Sequence, residues 1–238
     1  MIHVYWFTMD QELISDHHAL GLLDAQERDQ FRRIENNALA RFFAYRRGVL
    51  RMVLAKHLMC TNDSLRFTTN TNGKPRLDDP ETRIHFSTSQ TGNCGVVAVC
   101  SQGPIGVDVE AWRKIDASSF AKSILSAQEK RHYESVDPGA QIDTLLRAWT
   151  AKEAVIKGLG LGLELALLPQ ISIASDALDQ PWANVELPSS LSDSHRWYVS
   201  RVAGEEMSPG LFPNAAFLSI ASPLTCSVEV KSASAFVG

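Results

Sequence analysis

Arg147-Ala-Trp-Thr-Ala-Lys-Glu-Ala-Val-Ile-Lys157 is the stretch of this sequence that decides its organisation. Its apolar residues recur at helical spacing, and the pattern predicts a helix over residues 142 to 159. Glu153 and Lys157 lie four residues apart on one face of that helix. Taken alone, they are most simply an exposed ion pair. The glycines that follow, at positions 158, 160 and 162, end the helix and let another backbone approach closely.

A short upstream segment, Ile105-Gly-Val-Asp-Val-Glu110, has the apolar content of a buried strand but carries two acids. Side chains alternate across a strand, so Asp108 and Glu110 point to the same face. Two neighbouring carboxylates repel each other and are tolerated where a cation lies between them. A solvent-facing strand edge is the alternative. Oxygen ligands of this kind favour Mg²⁺ over zinc or copper.

The rest of the pattern predicts an α+β protein with no strict alternation of strands and helices. The elements of the first part are strands at 2–8, 65–69, 83–89, 94–100 and 105–109 with helices at 24–35 and 37–59. The second part is predicted to hold helices at 117–134 and 142–159, then strands near 170–174, 183–187, 196–202 and 215–220. A Gly-Pro turn at 103–104 marks a boundary. We therefore expect an N-terminal half, residues 1–103, and a C-terminal half, residues 104–238, that carries the metal site.

Composition excludes several classes of protein. The chain has 238 residues and a formal net charge of -4, which argues against nucleic-acid binding. Its four cysteines are scattered without zinc-like spacing. The first residues lack the basic and apolar regions of a signal peptide, and no apolar run is long enough to cross a membrane. A soluble, cytoplasmic protein is expected.

Several polar motifs have both an ordinary and a functional interpretation. Ser126 and Glu129 have the spacing of a capping box, which explains Glu129 without any chemistry. Arg47 and Arg51 either lie on a solvated helix face or bind phosphate oxygens. Gly73-Lys74-Pro75 has the composition of a turn. The hydroxyl-rich stretch from 87 to 92 is equally well a simple turn or a phosphate-binding strand end.

The order of these motifs resembles the Sfp-type 4′-phosphopantetheinyl transferases over about residues 1 to 165. The segments that carry the resemblance are Asn72-Gly-Lys-Pro-Arg-Leu77, Phe86-Ser-Thr-Ser-Gln-Thr-Gly92, Ile105-Gly-Val-Asp-Val-Glu110, Leu125-Ser-Ala-Gln-Glu129 and Trp149-Thr-Ala-Lys-Glu-Ala-Val-Ile-Lys157. The last two are highly diagnostic together. The resemblance implies two similar α+β halves related by a pseudo-twofold axis, with the active site in the cleft between them.

The resemblance also implies an activity. Such enzymes move the phosphopantetheine arm of coenzyme A onto a serine of an acyl or peptidyl carrier protein, often in secondary metabolism, and release adenosine 3′,5′-bisphosphate. The Mg²⁺ ligands implied here are Asp108, Glu110 and Glu153. Glu153 or Glu129 would take the serine proton, and Lys157 and Lys152 would hold the coenzyme A phosphates.

The nucleotide end of coenzyme A is implied to contact Arg47, Lys74 and Ser89, with Trp149 packing the helix against the site. The chain departs from the family at Gln90, where a histidine normally contacts the 3′-phosphate of the nucleotide. Glutamine donates a hydrogen bond but carries no charge. This substitution puts coenzyme A affinity in question.

Three functions remain, of which the third is a nucleotide-phosphate hydrolase that shares the metal site and would release free phosphopantetheine without any carrier. The first is a monomeric, Mg²⁺-dependent holo-carrier-protein synthase that uses coenzyme A. The alternative is a non-catalytic homologue, weakened by Gln90, which binds carrier proteins or coenzyme A without transfer. The carrier served is left open by the sequence, and its docking surface is expected near residues 111 to 125.

Overall fold

The computed structural model describes residues 1–162, 164–174, 181–191, 196–202 and 216–236. The helices are α1 (Asp16–Leu22), α2 (Ala25–Arg33), α3 (Asn37–Leu58), α4 (Ala117–Ile124), α5 (Ala127–Ser135) and α6 (Gln141–Leu159). The strands are β1 (Ile2–Thr8), β2 (Phe67–Thr69), β3 (Pro75–Leu77), β4 (His85–Thr91), β5 (Cys94–Cys100), β6 (Gly106–Ala111), β7 (Ser172–Ile173), β8 (Ala183–Glu186), β9 (Trp197–Val202), β10 (Ala216–Ser222) and β11 (Val228–Ser232). The α+β class is confirmed.

Two larger sheets organise these strands. The first has the order β11-β1-β5-β4, and the second has the order β6-β10-β9-β8-β7. Strands β2 and β3 form a separate two-stranded sheet. Helix α3 packs on the first sheet and α6 on the second, because each helix has a buried apolar face.

The inner faces of the two larger sheets pack against each other. Alternate residues of β1, including Ile2 and Val4, meet alternate residues of β6 and β10, including Val107 and Leu218. The other face of β1 turns Tyr5 toward α3. This alternation follows from the two-residue period of a strand. The packing brings the edge strands β4 and β6 side by side, which positions the site described below.

The sequence predicted most elements within a few residues, with four errors. The single helix expected over 117–134 is two helices, because Ser126 leaves helical geometry and caps α5 with its side chain. Helix α1 and strands β3 and β11 were not predicted. Strand β11 pairs in parallel with β1, with Ile2 opposite Val228, so the end of the described chain returns to the first sheet. The division at 103 and the similarity of the two halves stay predictions.

No helix in the described ranges combines the length and apolar character that crossing a membrane requires.

Candidate active site at the junction of the two sheets

The two sheets meet at β4 and β6 through side-chain hydroxyl groups. Ser87 Oγ accepts a hydrogen bond from the backbone N–H of Val107 at 3.1 Å. Thr91 Oγ1 accepts one from the N–H of Ala111 at 3.0 Å. These hydroxyls satisfy N–H groups on the exposed edge of β6 that would otherwise lack partners. Ser89 lies between them on the same face of β4 and is free to turn its hydroxyl toward the acids of β6.

Helix α6 lies unusually close to β6, and Gly106 allows this approach. A Cβ atom at Gly106 would lie 1.8 Å from the carbonyl oxygen of Ala154 and 2.4 Å from the backbone nitrogen of Gly158. No side chain fits there. As expected from the sequence, Gly160 ends the helix in left-handed geometry, with φ of 75°. The close approach brings the acids of β6 against the polar face of α6.

Asp108 of β6 and Lys157 of α6 form the centre of the site. Lys157 Nζ donates to Asp108 Oδ1 at 2.6 Å and to Ser89 Oγ at 3.0 Å. Ser89 Oγ in turn donates to the same Asp108 oxygen at 2.7 Å. The Asp108 side chain is only 6% exposed, whereas that of Lys157 is 29% exposed. The ammonium therefore faces the opening of the site while the carboxylate lies beneath it.

Glu153 and Glu110 complete an acidic cluster around this pair. Glu153 Oε2 lies 3.9 Å from Lys157 Nζ. Glu110 Oε1 accepts a hydrogen bond from Trp149 Nε1 at 3.1 Å. Asp108 and Glu110 thus both contact α6, as the strand alternation predicted, and Trp149 lies against the cluster as the resemblance implied.

The cluster is not internally satisfied. Asp108 Oδ2 and Glu153 Oε1 are buried and have no hydrogen-bond partner among the described residues. Burial raises the pKa of Asp108, against the opposing effect of Lys157. Burial, with a further contribution from Asp108, raises the pKa of both Glu110 and Glu153, the latter to about 7. Buried oxygens without a partner are few in proteins, and two of them beside carboxyl groups whose pKa is raised are consistent with a site for an ion.

The chemistry of these donors fits a hard divalent cation. Carboxylate oxygens are the preferred ligands of Mg²⁺, and two of them here lack any partner. In their present arrangement, however, no three His, Cys, Asp or Glu side chains among the described residues form a group that could hold a metal ion. One oxygen of Asp108, Oδ1, bonds the Lys157 ammonium. Metal binding by Asp108, Glu110 and Glu153 stays a prediction.

The structure places Lys152 and Glu129 away from this cluster. Lys152 Nζ is fully buried and donates to Glu129 Oε2 at 2.6 Å and to the carbonyl oxygens of Ile124 and Leu168 at 2.6 and 2.8 Å. All three of its donors are used. The role expected for Lys152 in holding a coenzyme A phosphate therefore does not fit its environment.

Glu129 is equally occupied. Its Oε2 accepts from the N–H of Ser126 at 2.7 Å as well as from Lys152, and its Oε1 accepts from the N–H of Ile173 at 3.1 Å. The capping box that the sequence predicted is present. Glu129 joins α5, α6 and β7 within the core, and the expectation that it activates a nucleophile is not supported by this position.

A cavity of about 490 Å³ opens beside the cluster, between α2, α3 and strands of the first sheet. Ser89 lines it and also bonds Asp108, so the cavity lies next to the acidic cluster. Arg47 lines it too, and its guanidinium is paired with Glu27. Phe67 forms an aromatic wall 4.9 Å from the Arg47 guanidinium carbon. The cavity therefore combines apolar walls with cationic groups, which suits a nucleotide.

Two residues expected to contact the nucleotide lie elsewhere. Lys74 Nζ donates to the carbonyl oxygens of Ile105 and Gly158, at 3.0 and 3.4 Å, and so ties the turn after β2 to both β6 and α6. Burial lowers the pKa of Lys74 to about 8. Gln90 is exposed on β4 and is not among the residues that line the cavity.

Sequence reasoning missed two features of the site. One is Arg46, which lines the cavity, whereas the four-residue spacing had drawn attention to Arg47 and Arg51. The other is the pair of acids that neutralise those two arginines, Asp24 and Glu27. The Asp24–Glu27 spacing of a capping box was a usable signal, since it predicts two carboxylates at the start of α2.

Comparison with known proteins agrees with this site. Residues 104–207 match the family model described as the 4′-phosphopantetheinyl transferase superfamily. A Synechocystis sp. protein named "Putative 4′-phosphopantetheinyl transferase" is 30% identical over 193 residues, which cover 80% of this chain and 75% of that protein. The 4′-phosphopantetheinyl transferase Sfp of Bacillus subtilis is 28% identical over 79% of this chain and 83% of its own length. HetI of Nostoc sp. is 29% identical over 73% of both chains.

The matches extend well beyond the motifs of the site, into both sheets. They confirm the resemblance that the order of the motifs suggested. The chain belongs to the 4′-phosphopantetheinyl transferase superfamily and, within it, to the Sfp type of these enzymes.

Proposed function

We propose that this protein transfers the 4′-phosphopantetheine group of coenzyme A to a serine hydroxyl of an acyl or peptidyl carrier protein, in a reaction that needs Mg²⁺. The observation that carries the proposal is a pair of buried carboxylate oxygens, Asp108 Oδ2 and Glu153 Oε1. Both belong to side chains next to Lys157, and neither oxygen has a hydrogen-bond partner in the described part of the chain. They supply negative charge where a cation and a polyphosphate would meet.

Asp108, Glu110 and Glu153 would hold the metal ion. When bound, Mg²⁺ supplies a Lewis acid that offsets the negative charge of the pyrophosphate in the transition state. Asp108 Oδ2 would face the ion, because the Lys157 ammonium bonds the other oxygen, Oδ1, and is partly exposed at the opening of the site. Lys157 is then available for the pyrophosphate oxygens, where a fixed cation stabilises charge that develops on the leaving group.

Glu153 is the proton acceptor that the contacts favour. Its Oε1 has no hydrogen-bond partner, whereas both oxygens of Glu129 are occupied. The carrier serine would give its proton to Glu153, directly or through a water molecule. A bond forms between the serine oxygen and the β-phosphorus while the bond from that phosphorus to the bridging oxygen breaks. Adenosine 3′,5′-bisphosphate leaves.

The nucleotide end of coenzyme A would occupy the cavity of about 490 Å³ beside Ser89. Phe67 offers a face for a base, and Arg47 lies over that ring with its charge balanced by Glu27. Ser89 connects the two parts of the site because it lines the cavity and bonds both Asp108 and Lys157. A single extended ligand could therefore place its adenine in the cavity and its pyrophosphate at the cluster.

The carrier protein would dock beside the end of β6. An open groove there is lined by Arg113, Lys114, Ile115 and Phe120, among others. It continues directly from Glu110 along the chain, so a carrier bound there can present its serine to the acidic cluster. This position falls within the region, 111 to 125, that the sequence suggested.

Incubation of a panel of purified apo carrier proteins with the enzyme and coenzyme A, followed by mass spectrometry, tests the proposal. We expect at least one carrier to gain the mass of phosphopantetheine when Mg²⁺ is present and none to gain it after chelation. Binding of carriers without any mass gain would instead identify the non-catalytic alternative. Release of free phosphopantetheine without a carrier would indicate a hydrolase.

A further inference from the structure

Three arginines of α3 lie at the cavity or directly behind it, and two of them are neutralised by the protein. Arg51 is buried and pairs with both Asp24 and Glu27. Arg47 pairs with the other oxygen of Glu27. Two guanidinium groups thus face two carboxylates, and their charges balance.

Arg46 is the exception. It lines the same cavity, is partly buried, and makes no hydrogen bond or ion pair with any residue in the described ranges of the chain. Its guanidinium carbon lies 5.5 Å from the centre of the Phe43 ring. Burial, and the adjacent charge of Arg47, lower the pKa of Arg46. Within the described part of the chain, Arg46 is therefore a cation at the cavity without a counter-ion.

A partly buried cation without a partner costs free energy in the unliganded protein, which a ligand anion offsets when it binds. Arginine suits this task because its fork of donors matches phosphate oxygens. Arg47 and Arg51 suit it less, since the carboxylates of Asp24 and Glu27 already balance their charges. The distribution of acids thus selects Arg46 among the three.

We propose that Arg46 binds the 3′-phosphate of coenzyme A and is the residue that discriminates coenzyme A from 3′-dephospho-coenzyme A. This inference rests on the proposed function. Coenzyme A carries two separate anionic groups, and the pyrophosphate belongs at Lys157 and Asp108. The cavity leads from Ser89, beside that pair, to Arg46, so the second anionic group falls to Arg46. Gln90 carries no charge, and Arg46 supplies the charge that Gln90 lacks.

The test compares the wild-type enzyme with Arg46→Gln, Arg46→Lys and the control Arg41→Gln. Arg41 is also on α3, but it is exposed and pairs with Asp16 at the surface. Transfer kinetics and calorimetric binding are measured for each protein with coenzyme A and with 3′-dephospho-coenzyme A. A charge-assisted hydrogen bond to phosphate predicts that Arg46→Gln raises KM and Kd for coenzyme A by about 10- to 100-fold. For the dephospho compound we expect less than about a threefold change, with kcat little altered.

Arg46→Lys keeps the charge but not the fork, so its preference for coenzyme A should fall between those of the wild type and Arg46→Gln. Arg41→Gln should leave the preference intact. Equal effects of Arg46→Gln on both compounds, or no preference in the wild type, would overturn the inference. Thermal unfolding shows whether each variant folds. If Arg46→Gln does not fold, the coenzyme A preference of Arg46→Lys is compared with that of the wild type instead.

The two proposals fail in different ways. If the wild type modifies no carrier, the proposed function is wrong, and the calorimetric comparison still decides whether Arg46 recognises the 3′-phosphate. If the wild type modifies carriers but Arg46→Gln keeps full discrimination, only the role of Arg46 is wrong.

Discussion

Two buried lysine–acid clusters start from adjacent residues of the same helix and differ in one respect. Lys152 uses all its donors within the core, on Glu129 and two carbonyl oxygens. Glu153 turns to the junction of the sheets, where one of its oxygens and one of Asp108 have no partner. The first cluster is complete without a ligand. The second is not.

This difference distinguishes charged groups that stabilise the fold from charged groups that are available to bind a substrate. Both clusters are buried, and both contain the residue types that the sequence singled out. They differ in whether every buried oxygen has a hydrogen-bond partner. A buried oxygen without a partner destabilises the folded protein, and a bound ligand that supplies the partner removes that cost. The comparison leads to four predictions, in order of decreasing effect.

The largest effect is expected at the incomplete cluster. Asp108→Ala and Lys157→Ala should each abolish transfer, by at least about 10²- to 10³-fold in kcat/KM, since each removes charge stabilisation at the reacting phosphate. Both variants should still fold, which circular dichroism and thermal unfolding would check. Rates come from mass spectrometry of the carrier.

Exposed residues provide the controls for this first prediction. Asp137→Ala and Lys56→Ala change the same residue types at the surface and should leave transfer unaltered. If both Asp108→Ala and Lys157→Ala modify the carrier at near-normal rates, the acidic cluster is not the active site.

The complete cluster should show the reverse behaviour. Glu129→Gln leaves the Lys152 ammonium buried without its counter-ion, so we expect the free energy of unfolding to fall by about 3–5 kcal/mol. Transfer by the folded fraction should stay within about threefold of the wild type, because Glu129 lies away from the acidic cluster. Urea unfolding and transfer rates below the transition test both parts.

A surface change on the same helix, Glu134→Gln, is the control for this second prediction and should alter neither quantity. A large loss of kcat in well-folded Glu129→Gln would instead show that Glu129 takes part in catalysis.

Lys74 is an intermediate case, because it is partly buried and its Nζ bonds two carbonyl oxygens but no carboxylate among the described residues. It predicts a pH dependence of stability. Its pKa in the folded protein is about 8, below the 10.5 of an ordinary lysine. Between these values the unfolded chain binds more protons, so the contribution of Lys74 to the unfolding free energy rises with pH. The rise should total about 1–3 kcal/mol from pH 8 to 10.5.

Unfolding curves of the wild type and of Lys74→Met across that range would measure the difference in slope. Lys56→Met, at an exposed position, should keep the wild-type slope. Parallel curves for the wild type and Lys74→Met would show that Lys74 is not buried as a cation.

The smallest effect is expected at Gln90. Gln90→His should tighten coenzyme A binding, because a histidine can place positive charge near the 3′-phosphate. Gln90 is exposed and does not line the cavity, so we expect less than about a threefold fall in KM. An unchanged KM in this variant would leave the whole of the discrimination to Arg46.

Much of the fold was predictable because local patterns agree with it. Strand alternation predicted β1 and placed Asp108 and Glu110 on one face, and both contact α6. Helix α1 was missed because seven residues are too few to show a helical period, and β11 because its parallel partner, β1, lies far from it in the sequence. The break between α4 and α5 was predictable from the Ser126 cap, which takes precedence over the apolar spacing around it.

The site was predictable in part. Trp149, Glu153 and Lys157 recur every four residues, so their shared face follows from helix geometry, and that geometry turns Lys152 elsewhere. Burial of Lys152 against two carbonyl oxygens has no local signal. The pairing of Arg47 and Arg51 with Asp24 and Glu27, which leaves Arg46 without an ion pair among the described residues, has no local signal either.

The sequence by itself determined the α+β class, the elements that carry the acids, and the family of enzymes, since these depend on periodicity and on the order of motifs. Only the tertiary structure decided which charges are satisfied. Hydrogen-bond partners of a buried group come from segments far apart in the chain, as Ser89, Asp108 and Lys157 do, and a local pattern cannot specify them.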